Sequence, residues 1–339
     1  MRPHSFGYCL LAALATLLAL VVVMLGAYTR LGDAGLGCPD WPGCYGHIAV
    51  PETAGAISTA EQKFQQPVEP AKAWKEMVHR YFAGTLGVFI GILFIWGLVR
   101  RMRYPNQPLL IPTLLILLVI FQALLGMWTV TLKVQPLVVS SHLLGGMAIA
   151  ALLWYLTLAT RPYQPSTAPA LSFKPWAILG LLVVIVQLFL GAWTSTNYAA
   201  LACTSFPLCH GTLFPHLDLH EAFTLWQPLG VNYEGGVLST TARITIQMMH
   251  RYWGFITAGF VLILSLALMS SKANKKLRGI GWVLFILILT QFILGILNVV
   301  WLLPRGIAVA HNGVAALLLL SMTGLLYKLN RKTVKRLVF

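Results

Sequence analysis

Runs of apolar residues about 18 or more positions long alternate with short polar segments along most of this chain of 339 residues. Such runs are typical of helices that cross a bilayer, whereas membrane β-barrels show short strands of alternating polarity. The pattern predicts an all-α polytopic membrane protein. Its eight transmembrane helices are expected at residues 8–28, 74–99, 109–131, 138–160, 175–195, 242–270, 279–302 and 306–327.

The predicted helices form two copies of a four-helix unit. Leu25-Gly-Ala-Tyr-Thr29 matches Leu190-Gly-Ala-Trp-Thr194, and His-Arg-Tyr at 79–81 matches His-Arg-Tyr at 250–252. Because a unit with an even number of spans restarts on the same side of the membrane, we expect two parallel-repeat four-helix bundles, related by an axis along the membrane normal. The halves are residues 1–165 and 166–339.

Composition supports a membrane protein, and the charge pattern predicts its topology. Hydrophobic residues make up 58% of the chain and charged residues only 10%, which excludes an ordinary soluble domain. The net charge of +15 arises at one set of helix ends, whereas the nine acidic residues lie on the other side. This asymmetry indicates contact with anionic membrane lipid and argues against nucleic-acid binding. We expect a bacterial inner (plasma) membrane, cytoplasmic termini, and long periplasmic loops at 29–73 and 196–241.

Four histidines lie inside the predicted spans, one on each even-numbered helix. A single intramembrane histidine often only bonds a neighbouring helix, but His79, His142, His250 and His311 occupy equivalent repeat positions. Two imidazoles per bundle suit axial ligation of heme iron, whereas zinc usually takes three or four ligands. The pattern therefore predicts two heme-iron sites, one formed by His79 with His142 and the other by His250 with His311.

One chemically important position differs between the two copies. Glu76 lies three residues before His79, so both share one helix face, while the second copy has Gln247 at this place. A carboxylate can handle protons or stabilise positive charge, which indicates chemistry in the first half and electron relay in the second. Arg80 and Arg251 directly follow their histidines and are candidates for pairing with heme propionates, with extension to the lipid headgroups as the alternative.

Two Cys-x5-Cys pairs lie in the predicted outer loops. The oxidising outer compartment favours the disulfides Cys38–Cys44 and Cys203–Cys209, and zinc is the weaker alternative because the spacing is too long. Each pair either staples its loop over the bundle or exchanges electrons by thiol chemistry. The pattern leaves this choice open, together with the roles of the loop histidines His47, His210, His216 and His220.

With these residues in view, the chain resembles the heme A synthase family over essentially its whole length. The resemblance rests on the eight helices in two halves, Glu-x-x-His-Arg at 76–80, the single histidines of helices 4, 6 and 8, and the outer cysteine pair with Asp40-Trp-Pro. It implies that heme o, the substrate, is oxidised at a ring methyl by successive hydroxylations. The product would be the formyl group of heme a, in heme A biosynthesis for a terminal oxidase.

The resemblance also implies roles for single residues. His79 and His142 would face heme o in a catalytic N-terminal half, with Glu76 as its essential carboxylate, and His250 and His311 would ligate a prosthetic heme b in the C-terminal half. A heme o synthase and an aa3-type oxidase are the implied partners. The electron donor, the oxygen source and the oligomeric state, a homo-oligomer included, stay open.

Two other functions compete with this interpretation. A diheme b-type membrane cytochrome, transferring electrons between quinol and an outer thiol or other acceptor, would share the four histidines but would not explain why Glu76 is replaced by Gln247. A heme or metal transporter built on parallel repeats would accumulate its substrate across the membrane and form no new pigment.

Overall fold

The computed structural model describes residues 6–103, 108–161, 171–271 and 275–330. Within these ranges the regular structure is helical, apart from two isolated β-bridges in the loops. A short 3-10 turn, Leu171–Phe173, precedes α6. The α-helices are α1 (Phe6–Leu31), α2 (Ala54–Phe64), α3 (Pro70–Arg103), α4 (Leu110–Thr131), α5 (Pro136–Thr160), α6 (Lys174–Thr196), α7 (Leu219–Ala222), α8 (Thr240–Met269), α9 (Lys275–Val300) and α10 (Arg305–Asn330).

Eight of the described helices, all except α2 and α7, are long and apolar enough to cross a membrane. The prediction of an all-α polytopic membrane protein with eight such helices is confirmed, and each predicted span overlaps one of them. The largest difference is in α3, which starts before and ends after the predicted 74–99. Proline is favoured in the first turn of a helix, and the arginines of the last turn interact well with the C-terminal carbonyls, so both ends extend beyond the apolar run.

The same pattern of helix neighbours occurs in both halves of the chain. In the first half α1 packs against α3 and α5, and α4 lies between α3 and α5; in the second half α6, α8, α9 and α10 repeat these contacts. The halves meet through α1 with α10, α5 with α6, and α5 with α10. Two parallel copies would make these contacts, but the repeat relationship stays a prediction. Its boundary at residue 165 and both chain termini lie outside the described residues.

The tightest packing in each half lies away from the long loops. Buried side chains such as Leu93, Leu115 and Leu153 join α3, α4 and α5, and Leu264 and Leu284 join α8 and α9. Buried apolar area of this kind stabilises the contact between helices through close packing. In the first half the other end of the bundle, which carries a long loop, contains a cavity.

Both long loops contain helices that the apolar pattern did not predict. The side chain of Thr53 caps α2 by accepting a hydrogen bond from the Ala56 amide at 3.3 Å. In the same way the side chain of Asp218 caps α7 by accepting a hydrogen bond from the Glu221 amide at 2.9 Å. These caps satisfy backbone donors that a short helix would otherwise leave unpaired. The long loops therefore contain regular structure of their own above the ends of the transmembrane helices.

Candidate functional site

A cavity of about 980 Å³ opens among α1, α3, α4 and α5, at the end of the first bundle that carries the long loops. This volume is at the upper end of what ligand pockets offer, about 300–1,000 Å³. Its wall includes Glu76, His79, Arg80 and His142, all predicted from the sequence, and the loop residue Trp41. The second half contributes to the same wall from α6 and α10, through Ala192, Ser195, Thr196 and Asn312.

The two histidines of the first half face each other across this cavity. The ring centroids of His79 and His142 are 6.3 Å apart, and their planes are inclined by 78°. With metal–nitrogen bonds of about 2 Å, two imidazoles on opposite sides of one metal have their centroids about 6 Å apart. This spacing fits a heme iron between them.

Each of the four histidine rings lies against a glycine of a neighbouring helix. A methyl group built on any of these glycines would come within 3.0–3.4 Å of the ring carbon Cε1, closer than ordinary van der Waals contact. Glycine therefore lets the helices approach closely enough to fix the direction of each ring. The pairs are His79 with Gly26, His142 with Gly126, His250 with Gly191, and His311 with Gly295.

Glutamine side chains also contact the histidines, and they do so differently in the two halves. In the second half Gln187 Nε2 lies 3.2 Å from His250 Nδ1, and Gln291 Nε2 lies 3.2 Å from His311 Nε2. Gln187 Nε2 also donates to the backbone carbonyl of His250, at 3.3 Å, and in the first half Gln122 Nε2 donates to the backbone carbonyl of His142, at 2.8 Å. Hydrogen bonds to the second nitrogen of a ligating histidine orient its ring.

Glu76 is buried, and both of its carboxylate oxygens are bound. Oε2 accepts a hydrogen bond from the backbone amide of Cys38 at 2.9 Å, and Oε1 accepts one from Nη2 of Arg80 at 2.5 Å. Charge-assisted bonds of this kind are short and strong. One end of the carboxyl group therefore holds the cysteine loop, while the group as a whole lies in the cavity wall.

The two arginines hold the two cysteine loops in equivalent ways. Nη1 of Arg80 donates to the carbonyls of Asp40, at 3.0 Å, and of Pro42 and Gly43. Nη1 of Arg251 donates to the corresponding carbonyls of the second loop, those of Ser205, Pro207 and Leu208, at 2.8, 3.4 and 3.2 Å. Nη1 of each arginine is therefore used to bind the carbonyls of its loop. That Arg80 and Arg251 pair with heme propionates stays a prediction.

Gln247 does not reproduce the bonds of Glu76. Its Oε1 is buried without a hydrogen-bond partner, and Nη2 of Arg251 donates to the carbonyl of Cys203 at 2.7 Å instead. An amide also lacks the negative charge that pairs with an arginine. The replacement of Glu76 by Gln247 in the second copy therefore changes the hydrogen bonds that hold the cysteine loop.

The disulfides Cys38–Cys44 and Cys203–Cys209 are both formed, as predicted, and all four cysteines are fully buried. Asp40 braces the first loop by accepting hydrogen bonds from the amides of Tyr45 and Gly46, at 2.6 and 2.7 Å. Among the residues that the structure describes, no three His, Cys, Asp or Glu side chains cluster as metal ligands.

Comparison with known proteins identifies the family. A family model described as "Cytochrome oxidase assembly protein" matches residues 10–323. A heme A synthase of Shewanella oneidensis is 47% identical over 317 residues, which cover 93% of this chain and 94% of that protein. The chain belongs to the heme A synthase family. Heme A synthases of Alkalihalophilus pseudofirmus and Sphingopyxis alaskensis are 29% and 26% identical, over 82% and 98% of this chain and 82% and 94% of their own lengths. The resemblance found in the sequence is thus confirmed.

Sequence reasoning missed several wall and support residues of this heme A synthase family member. Gly26 and Gly191 stand in the repeated Leu-Gly-Ala motif, so the signal was present, but the motif alone did not show that a histidine ring lies against each glycine. Arg30 and Asn312 line the cavity of the first half, and Asn312 reaches it from the second half. Only the packing of α10 against α1 and α5 brings that residue there.

Proposed function

We propose that this chain oxidises a ring methyl of heme o, by two successive hydroxylations and loss of water, to the formyl group of heme a. The observation that carries the proposal is the cavity of about 980 Å³ in which two facing imidazoles and a buried carboxylate share one wall. His79 and His142 would hold the substrate heme o by its iron, and the N-terminal half would be the catalytic one. The electron-carrier alternative would also fill this cavity with a heme, but it has no use for the carboxylate in the cavity wall.

Glu76 is the group we assign to the chemistry of the methyl carbon. Each hydroxylation inserts one oxygen atom into a C–H bond of the methyl group, which oxidises this carbon by two electrons, so a nearby base and a stabiliser of positive charge both assist it. The Cys38 amide and Arg80 fix the position of this carboxylate. A preorganised carboxylate costs no reorganisation when charge develops on the substrate.

The C-terminal half would hold a prosthetic heme b between His250 and His311. A heme bound there supplies one-electron transfer. The fit rests on the two glycines against the rings, and on Gln187 and Gln291, whose side chains contact a ring nitrogen of His250 and of His311. His311 is adjacent in sequence to Asn312, which lines the cavity of the first half, so α10 connects the two sites directly.

The proposal includes a cellular setting. A bacterial inner membrane with both termini cytoplasmic and the disulfide loops periplasmic agrees with the basic residues at one set of helix ends. A heme o synthase would supply the substrate, and an aa3-type oxidase would receive the product.

The pigments of membranes that contain the protein together with a source of heme o test the proposal. Wild type should accumulate heme a, and Glu76→Gln should reduce heme a by at least about a hundredfold, a typical contribution of general acid–base catalysis, while heme b is retained. His250→Ala should lose heme b, whereas His79→Ala should keep it. Full heme a production by Glu76→Gln would contradict the role of the carboxylate, and heme b without any heme a in wild type would favour the diheme cytochrome.

A further inference from the structure

The cavity of the first half reaches the outer surface of the bundle between α3 and α4. Tyr81 and Thr85 line it and continue an exposed stripe of α3 that runs on to Val88; Ile120 does the same on α4. A methyl group built on Gly84, which also lines the cavity, would meet no atom within 4 Å. The surface that faces the bilayer is therefore continuous with the cavity wall along this line.

The equivalent line in the second half is closed by three aromatic rings. Phe255 of α8 lies 5.5 Å, between ring centroids, from Phe292 of α9, and Phe206 of the cysteine loop stacks on Phe255 at 5.9 Å. Phe206 and Phe292 also touch edge to face at 6.3 Å. In agreement with this, α8 packs more extensively against α9 than α3 packs against α4. Aromatic contacts of this kind stabilise a closed surface.

The repeat shows that the two arrangements differ at corresponding positions. When His79 is aligned with His250, Gly84 corresponds to Phe255. When Gln122 is aligned with Gln291, Ala123 corresponds to Phe292. Both Gly84 and Ala123 line the cavity, so two of the three rings that close the second half have no counterpart at the opening of the first. The third, Phe206, corresponds to Trp41 of the first cysteine loop, which also lines the cavity. Packing alone does not require this difference, since the second half shows that phenylalanine fits between such helices.

We infer that the gap between α3 and α4, with Gly84 and Ala123 at its centre, is a lateral portal through which heme o enters from the bilayer with its isoprenoid chain lying in the gap. This inference rests on the proposed function and adds the route and the chain-binding surface. Heme o carries a long isoprenoid side chain, which partitions into hydrocarbon, so the membrane is its natural source. The imidazoles of His79 and His142 line the cavity to which the gap leads.

The same comparison explains how one fold can exchange one heme and retain another. A bound heme in the second half would have to displace Phe255 and Phe292 to leave sideways, whereas no such ring stands at Gly84 or Ala123. The portal thus separates an exchangeable substrate site from a closed cofactor site.

Closing the portal is the first test. The double variant Gly84→Phe/Ala123→Phe places the two phenylalanines of the second half in the first. It should take up heme o from donor vesicles about tenfold more slowly than wild type, because the added rings obstruct the gap. Its content of His250-bound heme b should be unchanged, which also shows that it folds. The matched control Ile95→Phe/Leu110→Phe adds the same rings at exposed positions of α3 and α4 outside the cavity wall and far from the gap, and it should take up heme o at the wild-type rate.

Opening the second half is the reciprocal test. Phe255→Gly/Phe292→Ala should release heme b to apomyoglobin about tenfold faster than wild type, because the aromatic barrier is gone. This measurement does not depend on activity, and it tests the role of the aromatic rings even if Gly84→Phe/Ala123→Phe does not fold. Equal uptake by wild type and Gly84→Phe/Ala123→Phe, with heme a still formed by wild type, would overturn the portal and leave the function standing. A wild type that takes up no heme o at all would overturn both.

Discussion

Arg80 and Arg251 show how a single residue can connect a loop to a site. Each arginine directly follows a histidine in sequence, and its guanidinium donates to several carbonyls of its own disulfide loop. Arg80 additionally binds Glu76, so it joins the loop, the carboxylate and α3 in one network. A planar guanidinium can do this because its donors point in several fixed directions, whereas an ammonium offers one compact charge.

Replacing either arginine by lysine should loosen only the loop that it holds. In Arg80→Lys the Cys38–Cys44 disulfide should be reduced by dithiothreitol at least about tenfold faster, because each lost bond to a charged donor contributes about 1.5–3 kcal/mol. Arg251→Lys should accelerate reduction of Cys203–Cys209 in the same way. Differential alkylation followed by mass spectrometry measures both rates in each variant, so each variant is the control for the other.

A different outcome would assign the arginines differently. If Arg80→Lys lost heme o binding while its disulfide was reduced at the wild-type rate, pairing with the heme propionates would be the main role of Arg80, and the loop contacts would be secondary.

At the scale of whole helices, α1 and α6 act as supports for the histidines of their neighbours α3 and α8. Gly26 on α1 and Gly191 on α6 lie opposite the rings of His79 and His250, with 3.0 and 3.2 Å from an added methyl group to Cε1. These contacts involve rigid rings held at the helix surface, so a methyl group can be accommodated only if the ring or the helix moves.

Alanine at either glycine should therefore affect one heme site and spare the other. Gly191→Ala should weaken heme b retention about tenfold, since overpacking a helix contact costs about 1–3 kcal/mol, while Gly26→Ala should leave heme b bound and reduce heme o binding. Gly259→Ala on α8, where an added methyl group meets no atom within 4 Å, is the matched control. Optical titration of both hemes measures the effect, and equal loss of both hemes in either variant would contradict separate sites.

The transmembrane helices were predictable from sequence because a hydrocarbon environment demands long apolar helices with satisfied backbones. The same argument could not find α2, since its existence depends on the cap at Thr53 and on the packing of Tyr45 against Phe64, whose centroids are 5.6 Å apart. Glu76 was found as an ionisable residue in an apolar run, but its bond to the Cys38 amide joins residues 38 positions apart and follows from no local pattern.

On the scale of the whole molecule, polar contacts join the two halves beside the cavity. Nη2 of Arg30, from the end of α1, donates to the carbonyl of Ser195 in α6 at 2.6 Å, and its guanidinium lies 4.0 Å from the ring centroid of Tyr198. Tyr198 in turn donates to Asp33 at 3.1 Å. Nearby, Ser140 of α5 and Thr196 of α6 share a hydrogen bond of 3.1 Å. The cavity wall therefore depends on how the halves are held together.

Arg30→Lys should weaken the union of the halves without touching either histidine pair. The stacking on Tyr198 and the bond to Ser195 together contribute about 1–3 kcal/mol, so the unfolding temperature in detergent should fall by several degrees, at about 2–4 °C per kcal/mol. Tyr198→Phe keeps the stacked ring and loses only an exposed bond, so it should cost less. Lys72→Met removes an exposed ion pair with Glu69 and should change the unfolding temperature little.

Because Arg30 also lines the cavity, Arg30→Lys should lose heme a production before it loses heme b. Unfolding at the wild-type temperature in Arg30→Lys would show that the contacts of Arg30 do not stabilise the junction of α1 with α6.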